Sequence, residues 1–269
     1  DFEKRLRDEI YDFVKNDLFP GMFVTARWTS LSNRSLRNMN RRARLGFLWV
    51  ILSATIFVVA IGLVYALVFN TDRGTLLPYI ASGYITWALI SSSLLSASSV
   101  FPTYRNYITQ KNLPLTVYVT SSAFDKIIVF LAQSVVIVTT CCVFETGLSL
   151  ALFVLPLSLL LIFINAIGTS FILGVMAVRY RDLGQVVASS ILIIFLLTPI
   201  IWKPEFAGKR TLIVDVNPFY HFINIVRAPI IDHEIPMMSF VVATGISLLS
   251  LVIGSILMAT YRHRIIYWL

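Results

Sequence analysis

The sequence predicts an all-α membrane protein. It has six transmembrane helices, an N-terminal amphipathic interfacial helix and a short re-entrant segment between helices five and six. Three observations point there. Of 269 residues, 57% are hydrophobic and 13% charged, against about 25% charged in a soluble domain. Too little polar surface is left to cover a water-soluble fold, and the mean hydropathy is +0.81. Apolar runs free of Asp, Glu, Lys and Arg recur at bilayer-spanning length, roughly 20 residues. Lys and Arg lie unequally on the two sides of those runs.

The spans fall at about 46–69, 76–100, 127–144, 149–178, 184–202 and 237–260, and residues 46–269 form one transmembrane domain. Residues 1–45 form a cytoplasmic region of two parts. In the first, Phe2, Leu6, Ile10 and Phe13 share a helical face, charges occupy the other, and Pro20-Gly21 is expected to end the helix. Nothing in it resembles a cleavable signal peptide. The chain opens on Asp1 and not Met, so residues are expected to be missing before it. In the second part, Arg34, Arg37, Arg41 and Arg44 follow a helical stripe leading into the first span. Two readings stand: a basic flank that fixes topology, or a landing strip for phosphate on lipid or substrate.

The later elements follow the same logic. Pro102 is placed to end the second span and Pro156 to kink the fourth. The stretch 105–126 reads as a cytoplasmic loop, either solvated or a docking surface. Cys141 and Cys142 are neighbours in an apolar run and read as small buried hydrophobes. Ala166, Ser170 and Gly174 have the spacing of close helix packing. The outer segment 203–234 balances its charges. Within it Asn217–Ile231 is amphipathic but too short to span; Asn217-Pro218 starts it and Pro229 ends or kinks it. With the N-terminus inside, only Arg73, Lys203, Lys209, Arg210 and Arg227 among the basic residues fall outside. Both termini are then cytoplasmic.

The chemistry is defined largely by omission. The predicted spans contain no proton relay, His221, His233 and His263 are scattered, and no P-loop motif occurs. A cytoplasmic sequon, Asn33-Arg34-Ser35, carries no meaning there. Uphill transport would therefore draw its energy from a partner. The second span places Tyr84, Trp87, Ser91 and Ser98 on one face. That face reads either as an aromatic belt with tight packing or as rings and hydroxyls along which a sugar chain slides.

Five motifs in order then carry a resemblance over roughly residues 40–269. They are Leu45-Gly46-Phe47-Leu48-Trp49, Arg179-Tyr180-Arg181-Asp182-Leu183-Gly184, Thr198-Pro199-Ile200-Ile201-Trp202, Asn217-Pro218-Phe219-Tyr220-His221 with Ile225-Val226-Arg227-Ala228-Pro229, and Tyr261-Arg262-His263-Arg264 with Tyr267-Trp268-Leu269. The chain resembles the membrane permease of type-2 ABC transporters that export polysaccharide, of the O-antigen and lipid-linked galactan kind. It departs where members often carry Arg-Tyr-Arg-Arg-Ser before the Leu-Gly pair. Here the stretch is Met39-Asn40-Arg41-Arg42-Ala43-Arg44, which keeps the charge but not the Tyr or Ser.

The resemblance implies a homodimer in the bacterial inner membrane, docked on two ATP-binding cassette subunits that hold ATP and Mg. The chain itself binds no cofactor and is a transport subunit, not an enzyme. The cargo implied is an undecaprenyl-pyrophosphate-linked glycan, as in lipopolysaccharide biosynthesis. Arg34, Arg37, Arg41, Arg42 and Arg44 become a phosphate guide. Tyr65, Tyr84, Trp87, Ser91 and Ser98 become channel lining. Phe101, Tyr104, Arg105, Asn106, Tyr107 and Lys111 become the ATPase contact, and Trp202, Phe219, Tyr220 and Arg227 an outer gate. Two alternatives remain: a same-fold permease for teichoic acid or another lipid-like cargo, and a membrane enzyme acting on lipid-linked sugars. The enzyme needs a carboxylate or His cluster that the sequence does not show.

Overall fold

A computed structural model describes residues 2–40, 46–68, 72–111, 113–202 and 212–269; side chains at 2–6, 34, 36–40 and 212–213 fall outside the description. The described residues are helical throughout, joined by short links. Helix α1 (Phe2–Phe13) continues through a wide π-helical turn (Val14–Leu18) into α2 (Phe19–Phe23). Pro20 does not end this helix. It sits in the first turn of α2, where its missing N–H costs nothing, and the break comes at Val24. Helix α3 (Thr25–Asn40) follows.

Among the described residues, five helical segments are long and apolar enough to cross a membrane: Leu48–Val68, Arg73–Gln110, Leu115–Val143, Leu150–Arg179 and Met237–Trp268. We label them α4 (Leu48–Val68), α5 (Arg73–Thr103) with the short α6 (Arg105–Gln110), α7 (Leu115–Val143), α8 (Leu155–Arg179) behind a 3₁₀ turn (Leu150–Val154), and α12 (Met237–Trp268). Between α8 and α12 come α9 (Leu183–Leu197), α10 (Leu212–Asp215) and α11 (Pro218–Ile231).

The fifth predicted span, 184–202, is shorter than expected. Helix α9 has 15 residues, about 22 Å of rise, and is not among the five. Its end has a local cause: Thr198 precedes Pro199, which disfavours helical backbone, and Thr198 is extended with ψ 134°. The third predicted span errs the other way. Helix α7 begins at Leu115, a dozen residues before the charge-free run, and so includes Asp125 and Lys126. The predicted 105–126 loop is accordingly α6, a four-residue link and the first turns of α7. Pro156 initiates α8 and does not kink it, and Pro229 lies inside α11, which runs on to Ile231. Cys142 is exposed and Cys141 half-buried, so the pair is not core as predicted.

Packing is organised around α5, the most buried of the five long helices. Its N-terminal half joins one apolar cluster with Val58, Phe130, Ile162, Ile200 and Phe222. Its C-terminal end joins a second with Phe13, Tyr118, Phe171 and Met258. Helix α4 buries Ala54, Val58, Gly62 and Ala66, a row every four positions, and a Cβ on Gly62 would lie 3.0 Å from Leu77 of α5. Most of the opposite flank of α4 is exposed apolar surface. Helices α8 and α12 come closest: a Cβ on Gly168 would lie 2.6 Å from Leu251 N, and one on Gly254 would lie 2.6 Å from Gly168 O. The predicted Ala166–Ser170–Gly174 row instead includes a contact to α5, where a Cβ on Gly174 would lie 2.9 Å from Phe101.

Candidate functional site

At the end of the bundle that carries both termini, the N-terminal helices are fastened to the spans. Phe13 is wholly buried and meets Phe171 edge-to-face at 5.9 Å between centroids. Ile10 and Phe13, the described part of the predicted apolar face, are therefore packed on protein. Asp12 pairs with Arg262 of α12. The guanidinium hydrogen bond, helped by Asn16, holds the Asp12 carboxyl below its usual range. Asp17, buried, accepts Leu115 N at 3.2 Å and Thr116 N at 2.9 Å. It thus caps α7 from another helix, satisfying N–H groups that Pro114 at the N-cap cannot. Gly21 lies so close that a Cβ there would approach Thr116 Cβ to 2.5 Å. Helix α3 continues the contact: Ser32 donates to the buried Asp125, and Trp28 packs on Phe124 at 4.7 Å. The arginine stripe starts on α3. The side chains of Arg34 and Arg37, and all of Arg41, Arg42 and Arg44, lie outside the described residues.

Helix α6 divides the predicted ATPase contact in two. Phe101 and Tyr104 face inward, Tyr104 stacking toward Tyr118 at 5.3 Å. Arg105, Asn106 and Lys111 are exposed and Tyr107 is half-buried, with Lys111 above its ring at 6.0 Å. Only the second set is open to a docking partner; the first holds α6 against the bundle.

The predicted channel face of α5 packs within the chain. Tyr84 stacks on Phe57 of α4 at 3.9 Å. Trp87 is buried between Phe195 of α9 at 6.0 Å and Phe219 of α11 at 5.9 Å. Ser91 and Ser98 donate to carbonyls one turn back in their own helix, at 3.3 and 2.8 Å. Tyr65 is half-buried against the first apolar cluster.

The opposite end is held by α11. Asn217 caps it, accepting Phe219 N at 3.0 Å, and donates to Thr198 at 2.9 Å. Ser158 of α8 donates to Ile225 O at 2.7 Å. Ser239 of α12 bonds His221 and Asn224, each at 3.0 Å. Arg227 is 2% exposed and reaches the unwound segment after α9. It donates to Pro199 O at 2.9 Å and Ile200 O at 3.2 Å, with Cζ 3.9 Å above the Tyr79 ring. Tyr79 OH donates to Trp202 O at 3.3 Å. Gly83 makes room: a Cβ there would sit 1.9 Å from Arg227 Nη2. So of the predicted outer gate, Arg227 is an internal clasp, while Trp202, Phe219 and Tyr220 are half-buried around it. The sequence named Arg227 but not its partners. Gly83, one turn beyond Tyr79 on the same face, was the available signal.

These features define a polytopic helical membrane protein whose ends are locked by buried polar contacts and whose centre is apolar. The ABC-2 type transporter family model matches residues 26–231, more than two thirds of the chain. The chain belongs to that family of transporters. It is 21% identical over 210 residues to the O-antigen export system permease protein RfbA of Myxococcus xanthus, covering 77% of this chain and 81% of that protein. It is 23% identical over 190 residues to a protein of the same name from Klebsiella pneumoniae, covering 70% of this chain and 73% of that protein.

Proposed function

We propose that this chain is the permease of an ATP-driven exporter that moves an undecaprenyl-pyrophosphate-linked polysaccharide, of O-antigen or galactan type, across the bacterial inner membrane. The observation that carries the cargo class is the likeness to two O-antigen export permeases, each over 70% or more of this chain. Two copies form the conduit, and two separate ATP-binding subunits supply ATP and Mg. They dock on the exposed side of α6. The arginines of residues 34–44 guide the pyrophosphate, since guanidinium forks pair with phosphate oxygens.

In this reading the chain crosses the membrane six times, with both termini cytoplasmic. Support for a crossing by α9 comes from its neighbours. A Cβ on Gly184, at its start, would lie 3.7 Å from Ser98 Oγ, whereas Trp202, beyond its end, bonds Tyr79. Along α5 those partners are separated by about 28 Å of helix rise, close to the thickness of a hydrocarbon core. Support for re-entry of α11 comes from its first turn. Pro218 and Phe219 line a 150 Å³ cavity with Ser93 of α5, Asn165 of α8 and Ser250 of α12, all well inside their helices. Unwound backbone at membrane depth survives only where protein satisfies it, which is the role of Arg227 at Pro199 and Ile200.

The test begins with purification of the ATP-binding subunit that accompanies the chain. Both are then expressed in a strain that makes lipid-linked O-antigen but lacks its own export permease. Glycan at the cell surface, detected by antibody on intact cells, is the expected result. A membrane-inserted complex that leaves the glycan inside would overturn the polysaccharide assignment.

A further inference from the structure

We propose that the cavity between the C-terminal ends of α8 and α12 binds the headgroup of an anionic phospholipid from the surrounding bilayer. The cavity measures about 490 Å³ and is lined by Met176, Arg179, Leu257, Tyr261, Arg264 and Trp268 among others, with no carboxylate in its wall. That volume falls within the range of small-ligand sites, about 300–1,000 Å³.

The lining is ordered by polarity along both helices. Met176 lies one turn before Arg179, and Leu257 one turn before Tyr261 and two before Arg264. Each helix thus presents an apolar side chain deeper and a cation nearer the end, the sequence of environments met along a lipid from acyl chain to phosphate. The rings mark the boundary. Tyr261 and Trp268 lie 5.9 Å apart, and amphipathic rings of this kind concentrate at headgroup level.

Both guanidinium groups are set against those rings. Arg179 Cζ is 5.7 Å from the Trp268 centroid and Arg264 Cζ is 5.9 Å from that of Tyr261. A guanidinium held by cation–π attraction at this distance keeps N–H groups for bidentate bonding to phosphate oxygens. Neither arginine is ion-paired among the described residues. The contrast with Arg262 is informative. Two positions along a helix turn the side chain by about 200°. Arg262 therefore points away from Arg264 and is neutralised by Asp12, while the cavity side keeps its charge.

This inference rests on the reading that places this end of the bundle at a face of the membrane, and it does not depend on the cargo. The experiment therefore reads lipid binding alone. The full chain is reconstituted in phosphatidylcholine bilayers, and tryptophan emission is followed as brominated phosphatidylglycerol or brominated phosphatidylcholine is added at equal mole fraction. Phosphatidylglycerol is expected to quench more strongly, and Trp268→Phe to remove the difference. The double variant R179Q/R264Q is expected to need at least fivefold more phosphatidylglycerol for half-quenching, and R179K/R264K to recover part of the preference. If the double variant does not reconstitute, R264Q alone carries the comparison, with the same direction expected. Equal quenching by the two lipids in the wild type overturns the proposal, as does an undiminished preference in the variants. Displacement by millimolar glycerol phosphate would assign the site to a free phosphate compound and overturn the bilayer-lipid assignment.

Discussion

Arg227 shows how one side chain can hold an unwound piece of backbone. It offers N–H groups to Pro199 O and Ile200 O, stacks on Tyr79, and occupies space vacated at Gly83. An orphaned buried carbonyl costs about 1–3 kcal/mol, and a desolvated cation–π contact is worth about 2 kcal/mol. Arg227→Met removes all three contacts but also relieves the burial of a charge, which offsets part of the loss. We expect a net destabilisation of about 2–4 kcal/mol in detergent unfolding, against little change for the exposed Arg105→Gln. Gly83→Ala should mimic it by displacing the same guanidinium. Because both substitutions break one clasp, the double variant should be little worse than either alone. Strictly additive losses would show that Gly83 and Arg227 act separately.

At the scale of elements, the closest approach is between α8 and α12. A methyl group on Gly168 would press on backbone atoms of Ser250 and Leu251 at 2.6 Å, and backbone cannot step aside as a side-chain tip can. Gly168→Ala should cost roughly 1–3 kcal/mol as overpacking. Gly245, on the same α12, meets nothing within 4 Å, so Gly245→Ala should be neutral or mildly stabilising, because alanine is the better helix former. Thermal unfolding of the two variants side by side checks this. Equal melting temperatures would sink the account. Helices of this kind are legible in the sequence where apolar length alone decides, as for α4 and α12. The Asn217 start of α11 was legible too, because a cap is a local device. The start of α7 was not. Asp125 and Lys126 interrupt the apolar run, and the partner that lets Asp125 be buried, Ser32, lies 93 positions away. The end of α9 is not legible from apolar length, because Pro199 decides backbone geometry there.

For the whole molecule, the open quantity is the number of crossings. It can be read from which side two loops face. Cys141 and Cys142 are first replaced by serine, and single cysteines are placed at Asp182 and Glu234, both exposed. If α9 and its extension cross, a membrane-impermeant maleimide added to intact spheroplasts labels Glu234→Cys and spares Asp182→Cys. Labelling of both from one side would reduce the crossings to five. The predicted site residues were legible only in outline at this scale. Sequence spacing put Tyr84, Trp87, Ser91 and Ser98 on one face of α5. It gave no sign that α9 and α11 pack on Trp87 within the same chain, since such packing follows from where distant segments return.

Asp17 has a further consequence, in the timing of synthesis. The two amides it caps belong to Leu115 and Thr116, 98 and 99 residues later in the chain. At about 5–20 residues per second, roughly 5–20 seconds pass between the appearance of the carboxylate and that of its partners. During that interval α4 and α5 are made, while Asp17 and the face around Phe13 lack the surfaces that later cover them. The N-terminal segment must therefore wait at the membrane surface, hydrated, until the third long helix arrives, and its docking marks a late step in assembly of the chain.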